Sequence, residues 1–240
     1  MKIFVVGDSH SRFFELTGEL KTRNEKYKGL DFEVHVIPGA SIKGFGKRKS
    51  TLNTNIEVRN RVEKINPDYV VMCLGQVDIE LGYYYQKCIK KLDVDFESYA
   101  NSLIESYVEE VKSLGVKTIL KGVNQTVLTG YREKAIKYVG KIIAENISDA
   151  EEVRLARKRL SEMFPSVLER VSNHFTFNEK LKIEAKRNDF LYFDINEMIC
   201  ESDGLVCDKY IPASFDHHLV DSIEVREIHI DNLLKTIFNR

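Results

Sequence analysis

The chain opens Met1-Lys2-Ile3-Phe4-Val5-Val6-Gly7-Asp8-Ser9-His10. Four consecutive apolar residues, two of them valine, stop at a glycine and an aspartate. That is the length and composition of a buried strand ending at a tight turn. The run is too short for a secretory h-region and no small-residue cleavage site follows it, so a cytoplasmic protein, or one acting inside a host cell, is expected. Further short apolar runs follow at Phe32–Ile37, Tyr69–Leu74, Thr118–Val123 and Phe190–Phe193. Helix-period segments lie near Arg12–Lys21, Thr54–Ile65, Phe96–Leu114 and Ser148–Ala185, and a last helix is predicted from about Val220 to Phe238. Five buried strands separated by helices predict an α/β fold with a mostly parallel sheet covered on both faces. Its strand-to-helix turns then share the carboxyl edge, where open α/β sheets bind ligands.

The bulk properties agree with one such domain spanning 1–240. Apolar residues make up 43% of 240 and aromatics 10%, enough to build a sizeable core. Lys+Arg at 36 against Asp+Glu at 37 leaves a net charge of −1, which argues against nucleic acid as a partner. No apolar run approaches the roughly 18 residues of a membrane span. Cys73, Cys88, Cys200 and Cys207 form no CxxC pair and read as free thiols. About 65 residues separate the fourth and fifth strand candidates, where a crossover needs roughly a dozen. Ser148 with Glu151 has capping-box spacing, and Pro165 ends or kinks the helix near Phe164. The segment 131–172 is therefore a helical insertion, either a lid at the carboxyl edge or a long crossover with no functional part.

Four segments at strand ends carry the chemistry. Ser9 follows the first strand with its N–H near the positive end of a helix; on its own, Gly-Asp-Ser is more often an N-cap than a nucleophile. Asp216-His217-His218 follows the last strand and returns to the same edge, supplying an imidazole and a group to orient it. A surface pair or a metal site is the usual alternative, but zinc wants three or four ligands, and His35 and His174 are isolated. Gly39-Ala40-Ser41-Ile42-Lys43-Gly44 follows the second strand, and Gly75-Gln76-Val77-Asp78 the third. Neither a metal nor a cofactor is expected.

On these four blocks, running from residue 7 to residue 218, the sequence resembles the SGNH, or GDSL-type, hydrolase family. The resemblance implies a three-layer, flavodoxin-like α/β/α sandwich with a five-stranded parallel sheet. It makes Ser9 the nucleophile, His218 the general base and Asp216 its orienting acid. Oxyanion donors would be the Ser9 N–H and a glycine N–H, Gly44 by block position and Gly39 as second choice. Two departures stand out. The family's Gly-x-Asn-Asp has Val77 in place of the asparagine, and valine donates no hydrogen bond. Gln76 would substitute only if the turn is rearranged. The family's Asp-x-x-His is also shifted, since three residues before His218 stands Phe215.

Lys43, Lys47, Arg48 and Lys49 form a basic run that is either a solvated loop or a clamp on an anionic group. Tyr83-Tyr84-Tyr85, and more weakly Tyr131 and Arg132, are candidates for stacking on sugar rings, with core packing of one or two of the tyrosines the equal alternative, since three consecutive residues cannot all face one way. The GDSH start, the Gly-x-Val-Asp block and the His-His-Leu end look like a glycan-processing branch of the family. The expected function is a serine esterase acting on an acetyl ester of a carbohydrate, with a small-molecule or glycan substrate. The alternative is a glycan-binding or glycosyl- or acyl-transferring protein without hydrolase activity, in which Asp8, Asp78 and Asp216 bind sugar hydroxyls or one of them serves as base, and the basic loop holds a donor phosphate; His217 is a further substrate-binding candidate.

Overall fold

In the computed structural model, which describes residues 1–47 and 50–238, the chain alternates strands and helices along its length. In order these are β1 (Lys2–Gly7), α1 (Gly18–Arg23), β2 (Asp31–Val36), α2 (Ile42–Phe45), α3 (Thr54–Ile65), β3 (Tyr69–Cys73), α4 (Tyr83–Cys88) and α5 (Phe96–Lys112). They continue with β4 (Thr118–Lys121), α6 (Arg132–Ile143), α7 (Ala150–Met163), α8 (Val167–Arg187), β5 (Leu191–Phe193), α9 (Asn196–Ile199) and α10 (Ile223–Phe238). The strands form one parallel sheet in the order β2-β1-β3-β4-β5. Strand order reverses direction at β1, so the ends of β1, β2 and β3 flank the switch point where such sheets bind ligands.

Residues 3–6 of β1 are buried on both faces, and the pleat divides them between two cores. Phe4 and Val6 join Met72 of β3, Val58 of α3, Tyr107 of α5 and Phe177 of α8. Ile3 and Val5 join Val71, Leu20 of α1 and Val225, Ile230 and Leu233 of α10. The sheet is therefore covered on both sides, and the α/β/α sandwich follows from the uninterrupted apolar character of its central strands. Gly7 is where β1 comes nearest to β3: a Cβ there would collide with the Cys73 carbonyl.

Three local readings are corrected. The helix expected over Arg12–Lys21 is split into a 3-10 turn at Ser9–Phe14 and α1, because Thr17 caps α1 and Glu15–Thr17 is extended. The N-cap of α7 is Asp149 rather than Ser148; the true capping box is Ser166 with Glu169, at the start of α8. Pro165 separates α7 from α8, so the inserted hairpin is α6 with α7, and residues 167–172 belong to the crossover helix that packs on α5 and β5. No helix among the described residues is long and apolar enough to cross a membrane.

Candidate active site

The turn after β1 is built by Asp8. Its side chain caps the 3-10 helix by accepting from the His10 N–H at 2.8 Å, and its carbonyl accepts from Ser11 Oγ at 2.7 Å. Arg12 Nε donates to the Ser9 carbonyl at 2.9 Å. This fixes Ser9 at the first helical position, with no acceptor for its N–H among the described residues.

The segment after β5 reaches the same place. Leu219 is buried in the second core and the Val220 N–H donates to the Tyr210 carbonyl at 2.9 Å, which anchors the chain just beyond the histidines. Ser9 Oγ lies 2.6 Å from His218 Nε2, and His218 Nδ1 lies 2.7 Å from Asp216 Oδ1. The short Asp-x-His spacing works because the same Oδ1 also accepts from the His218 N–H at 3.3 Å. That local side-chain-to-backbone turn folds the carboxylate back under the ring two residues on. The displaced aspartate thus reaches the His218 ring directly, and His218 rather than His217 faces the serine.

Electrostatics set the protonation states. Burial opposes ionisation of Asp216, but the hydrogen bonds from His218 and Tyr138 and the His218 charge outweigh it, and its pKa falls to about 2. Burial and the neighbouring His10 lower the His218 pKa, with Asp216 pulling the other way. Burial, His10 and His218 lower His217 to about 3. At neutral pH the aspartate is ionised and both imidazoles are neutral. His218 carries its proton on Nδ1, toward the carboxylate, and presents a lone pair to Ser9.

Two contributors had been missed. His10 stacks on His218 with ring centroids 4.3 Å apart and is held by Asp8 Oδ1 at 2.9 Å. Its only sequence signal was its place beside the serine. Tyr138, on α6, donates its O–H to Asp216 Oδ1 at 3.0 Å and bonds His217 Nδ1. Nothing in the periodicity of α6 marked it.

Other expected site residues have different partners. Gly44 lines the cavity, but its N–H is donated to Ser41 Oγ at 2.9 Å, so the first-choice oxyanion donor is committed to capping α2. Gly39 also lines the cavity, at φ +75°, and its N–H has no acceptor among the described residues. Gln76 is buried, donating to the Asn124 carbonyl at 3.1 Å and accepting from the Asn124 N–H at 2.8 Å. It is a tie between the ends of β3 and β4, and supplies no amide in place of the missing asparagine. Asp78 is buried at the cavity wall and accepts from the Ile42 and Lys43 N–H groups at 2.6 and 3.2 Å, so both of its oxygens are spent on anchoring α2; burial pushes it up to about 7. Asp8 is buried behind the serine, and although burial opposes it, His10 and Lys121 hold its pKa below the usual range. Val77 faces the cavity that contains Ser9.

Gln76→Ala leaves the buried Asn124 N–H without an acceptor, a loss of about 1–3 kcal/mol, while the Asn124 carbonyl keeps its contact with His174 Nδ1 at 2.8 Å. A stability loss of about 2 kcal/mol in urea denaturation is expected, in place of the roughly hundredfold fall in kcat that loss of an oxyanion donor brings. A stable variant with such a fall in kcat would return Gln76 to the oxyanion hole.

The cavity beside Ser9 has a volume of about 940 Å³. Its walls come from the α2 loop, the Asp78–Gly82 turn, α4 and the α6 end of the inserted hairpin. Of the three consecutive tyrosines only Tyr85 lines it, while Tyr83 and Tyr84 are core. Arg132 instead ties α6 to the Ser161 and Phe164 carbonyls, and Tyr131 is exposed. His35 pairs with Glu57, and His174 with Glu80 and the Asn124 carbonyl, as structural residues. Arg48 and Lys49 of the basic run lie outside the described residues.

His10, His217 and His218 bring ring nitrogens within 4.8 Å of one another, a density that a metal ion needs. Both nitrogens of His218 are engaged, by Asp216 and Ser9, and the Nδ1 atoms of His10 and His217 are held by Asp8 and Tyr138, so a metal that takes His218 would have to break the Ser9–His218 bond. The cluster fits a serine–histidine–aspartate relay with a stacked neighbour better than a metal site.

The sequence matches no protein-family model and no curated protein. Solved structures match over the whole chain. A Bacteroides fragilis protein assigned as an acylhydrolase is 17% identical, with a TM-score of 0.53 covering 99% of this chain and 86% of its own. A GDSL-like lipase from Bacteroides thetaiotaomicron is 15% identical, with a TM-score of 0.51 and coverage of 99% and 88%. A catalytic mutant of an acetylxylan esterase from Geobacillus stearothermophilus is also 15% identical at a TM-score of 0.51, covering 99% and 94%.

Proposed function

We propose that this chain, which has the fold of the GDSL-type hydrolases, is a serine esterase that removes an acetyl group from a carbohydrate ester. The observation that carries the reading is the continuous Ser9–His218–Asp216 relay, with contacts of 2.6 and 2.7 Å. Such an arrangement holds a nucleophile, its base and the orienter of that base within hydrogen-bond reach. The polar and apolar lining of the adjacent cavity suits a sugar, and an acetylxylan esterase is among the structures of like fold.

In the acylation step Ser9 Oγ attacks the ester carbonyl as His218 Nε2 takes its proton. The oxyanion meets the Ser9 and Gly39 N–H groups. Collapse breaks the acyl C–O bond, and His218 returns the proton to the departing alcohol. Water then repeats the sequence on the acyl-serine, releasing the acid and restoring Ser9. Asp216 holds the imidazole in the tautomer that leaves Nε2 free to accept.

The test is covalent labelling. A fluorophosphonate is expected to form one adduct, at Ser9, read by intact and peptide mass. A folded protein that forms no adduct and turns over no p-nitrophenyl acetate would instead favour the binding or transfer reading. Val77 and the committed Gly44 N–H favour that reading, since they leave the oxyanion hole short of donors. For the same reason Val77→Asn is expected to raise kcat on p-nitrophenyl acetate by about tenfold, part of the roughly 100-fold that one such donor is worth. A fall or no change would mean that position 77 is out of reach of the oxyanion.

A further inference from the structure

The cavity beside Ser9 is bordered by three lysines from two separate segments of chain. Lys43 and Lys47 come from α2 and the turn after it; Lys90 follows α4. Lys26, Lys180 and Lys209 pair with carboxylates at 2.7–2.9 Å, whereas none of the cavity lysines has a carboxylate within ion-pair distance among the described residues. Of the acids in the lining, Asp78 spends both oxygens on the backbone of α2, and Glu145 stands at the exposed rim. Lys90 Nζ lies 5.6 Å from the centre of the Tyr85 ring, and both residues line the cavity. Partial burial of Lys43, together with repulsion from Lys47 and Lys90, lowers its pKa, while Asp78 opposes the shift. Three mutually repelling cations held together without counter-ions form a site that an anion relieves.

The geometry points to an anionic substrate: an acyl ester whose remaining part bears a carboxylate or phosphate, received by Lys43, Lys47 and Lys90 while the ester sits at Ser9. This rests on the esterase reading for the reaction, but the anion site stands on the lysines alone. Carboxylate and phosphate offer these ammonium groups the same chemistry, and lysine serves either as a compact point charge. The apolar wall of Leu81, Ile142 and Ile143 would carry the uncharged face of the substrate.

Binding and turnover are tested separately. Ser9→Ala protein is titrated calorimetrically with glucose, glucuronate and glucose 6-phosphate. Both anions are expected to bind at least tenfold more tightly than glucose, with an affinity that falls as salt rises; whichever binds tighter identifies the anionic group. Lys47→Ala/Lys90→Ala on the same background is expected to lose at least tenfold for the anions, and the double Arg variant to keep most of it. Equal affinity for glucose and the two anions overturns the proposal, as does anion binding indifferent to the alanine pair. In the Ser9 enzyme, the ratio of kcat/KM for 4-acetoxybenzoate to that for phenyl acetate, each normalised to its alkaline hydrolysis rate, is expected to exceed ten and to fall to about one in the alanine pair. If neither ester is hydrolysed, the esterase reading fails, and the titration still decides the anion site.

Discussion

Ser9→Ala and His218→Ala are each expected to lower kcat on p-nitrophenyl acetate by at least about a thousandfold, and to nearly the same residual rate. The double variant is expected to be no slower than either single one. Non-additivity of this kind marks residues acting as one unit: without the base at 2.6 Å the serine hydroxyl keeps its proton, and without the hydroxyl the base has nothing to activate. The fold is expected to survive both changes, since Ser9 and His218 lie at the ends of strand-following loops and neither belongs to a core cluster. The check is steady-state kinetics beside circular dichroism. Independent, multiplying losses would mean that the two residues contribute separately and that the relay is incidental.

Asp216→Asn is expected to lower kcat by about 10⁴ with little change in KM for the same ester. The amide presents an N–H to His218 Nδ1 and so pushes the imidazole proton onto Nε2, where it faces Ser9 and cannot accept. The pH dependence gives a second readout. Catalysis needs neutral His218, whose pKa is held below the ordinary 6.5 by burial and His10, so the acid limb of kcat/KM is expected below pH 6.5. Asp216 raises that pKa through its hydrogen bond and charge; the asparagine variant therefore moves the residual limb to still lower pH. A limb that shifts upward, or a variant with wild-type turnover, would remove Asp216 from the relay. The aspartate's own titration at about 2 lies below this window and does not shape it.

The sheet was legible because its central strands are buried on both faces and read as unbroken apolar runs: Ile3–Val6 and Tyr69–Leu74 are recovered within one residue at each end. Ser9 and the Asp216–His218 segment were legible as one group because strand ends place them on one edge. Sequence spacing failed where side chains set the local geometry. Asp216 sits one residue away from the familiar separation, yet a side-chain turn restores the contact. Gly44 sits at the expected position, yet Ser41, three residues earlier, takes its donor. Tyr138 was invisible because its contact spans 78 residues of chain and it lies within an amphipathic helix whose other positions explain its pattern.

The inserted hairpin has a consequence for anyone redesigning this protein. It forms one wall of the cavity through Ile142 and Ile143, and one turn earlier on the same helix it holds the Asp216 carboxylate through Tyr138. On the esterase reading, selectivity and turnover are thus both tied to this one hairpin. Grafting a different hairpin to admit another substrate would disturb the acid of the relay at the same time, unless the graft carries a tyrosine in the same register. A library that fixes position 138 and varies the turn after it would keep the two properties apart.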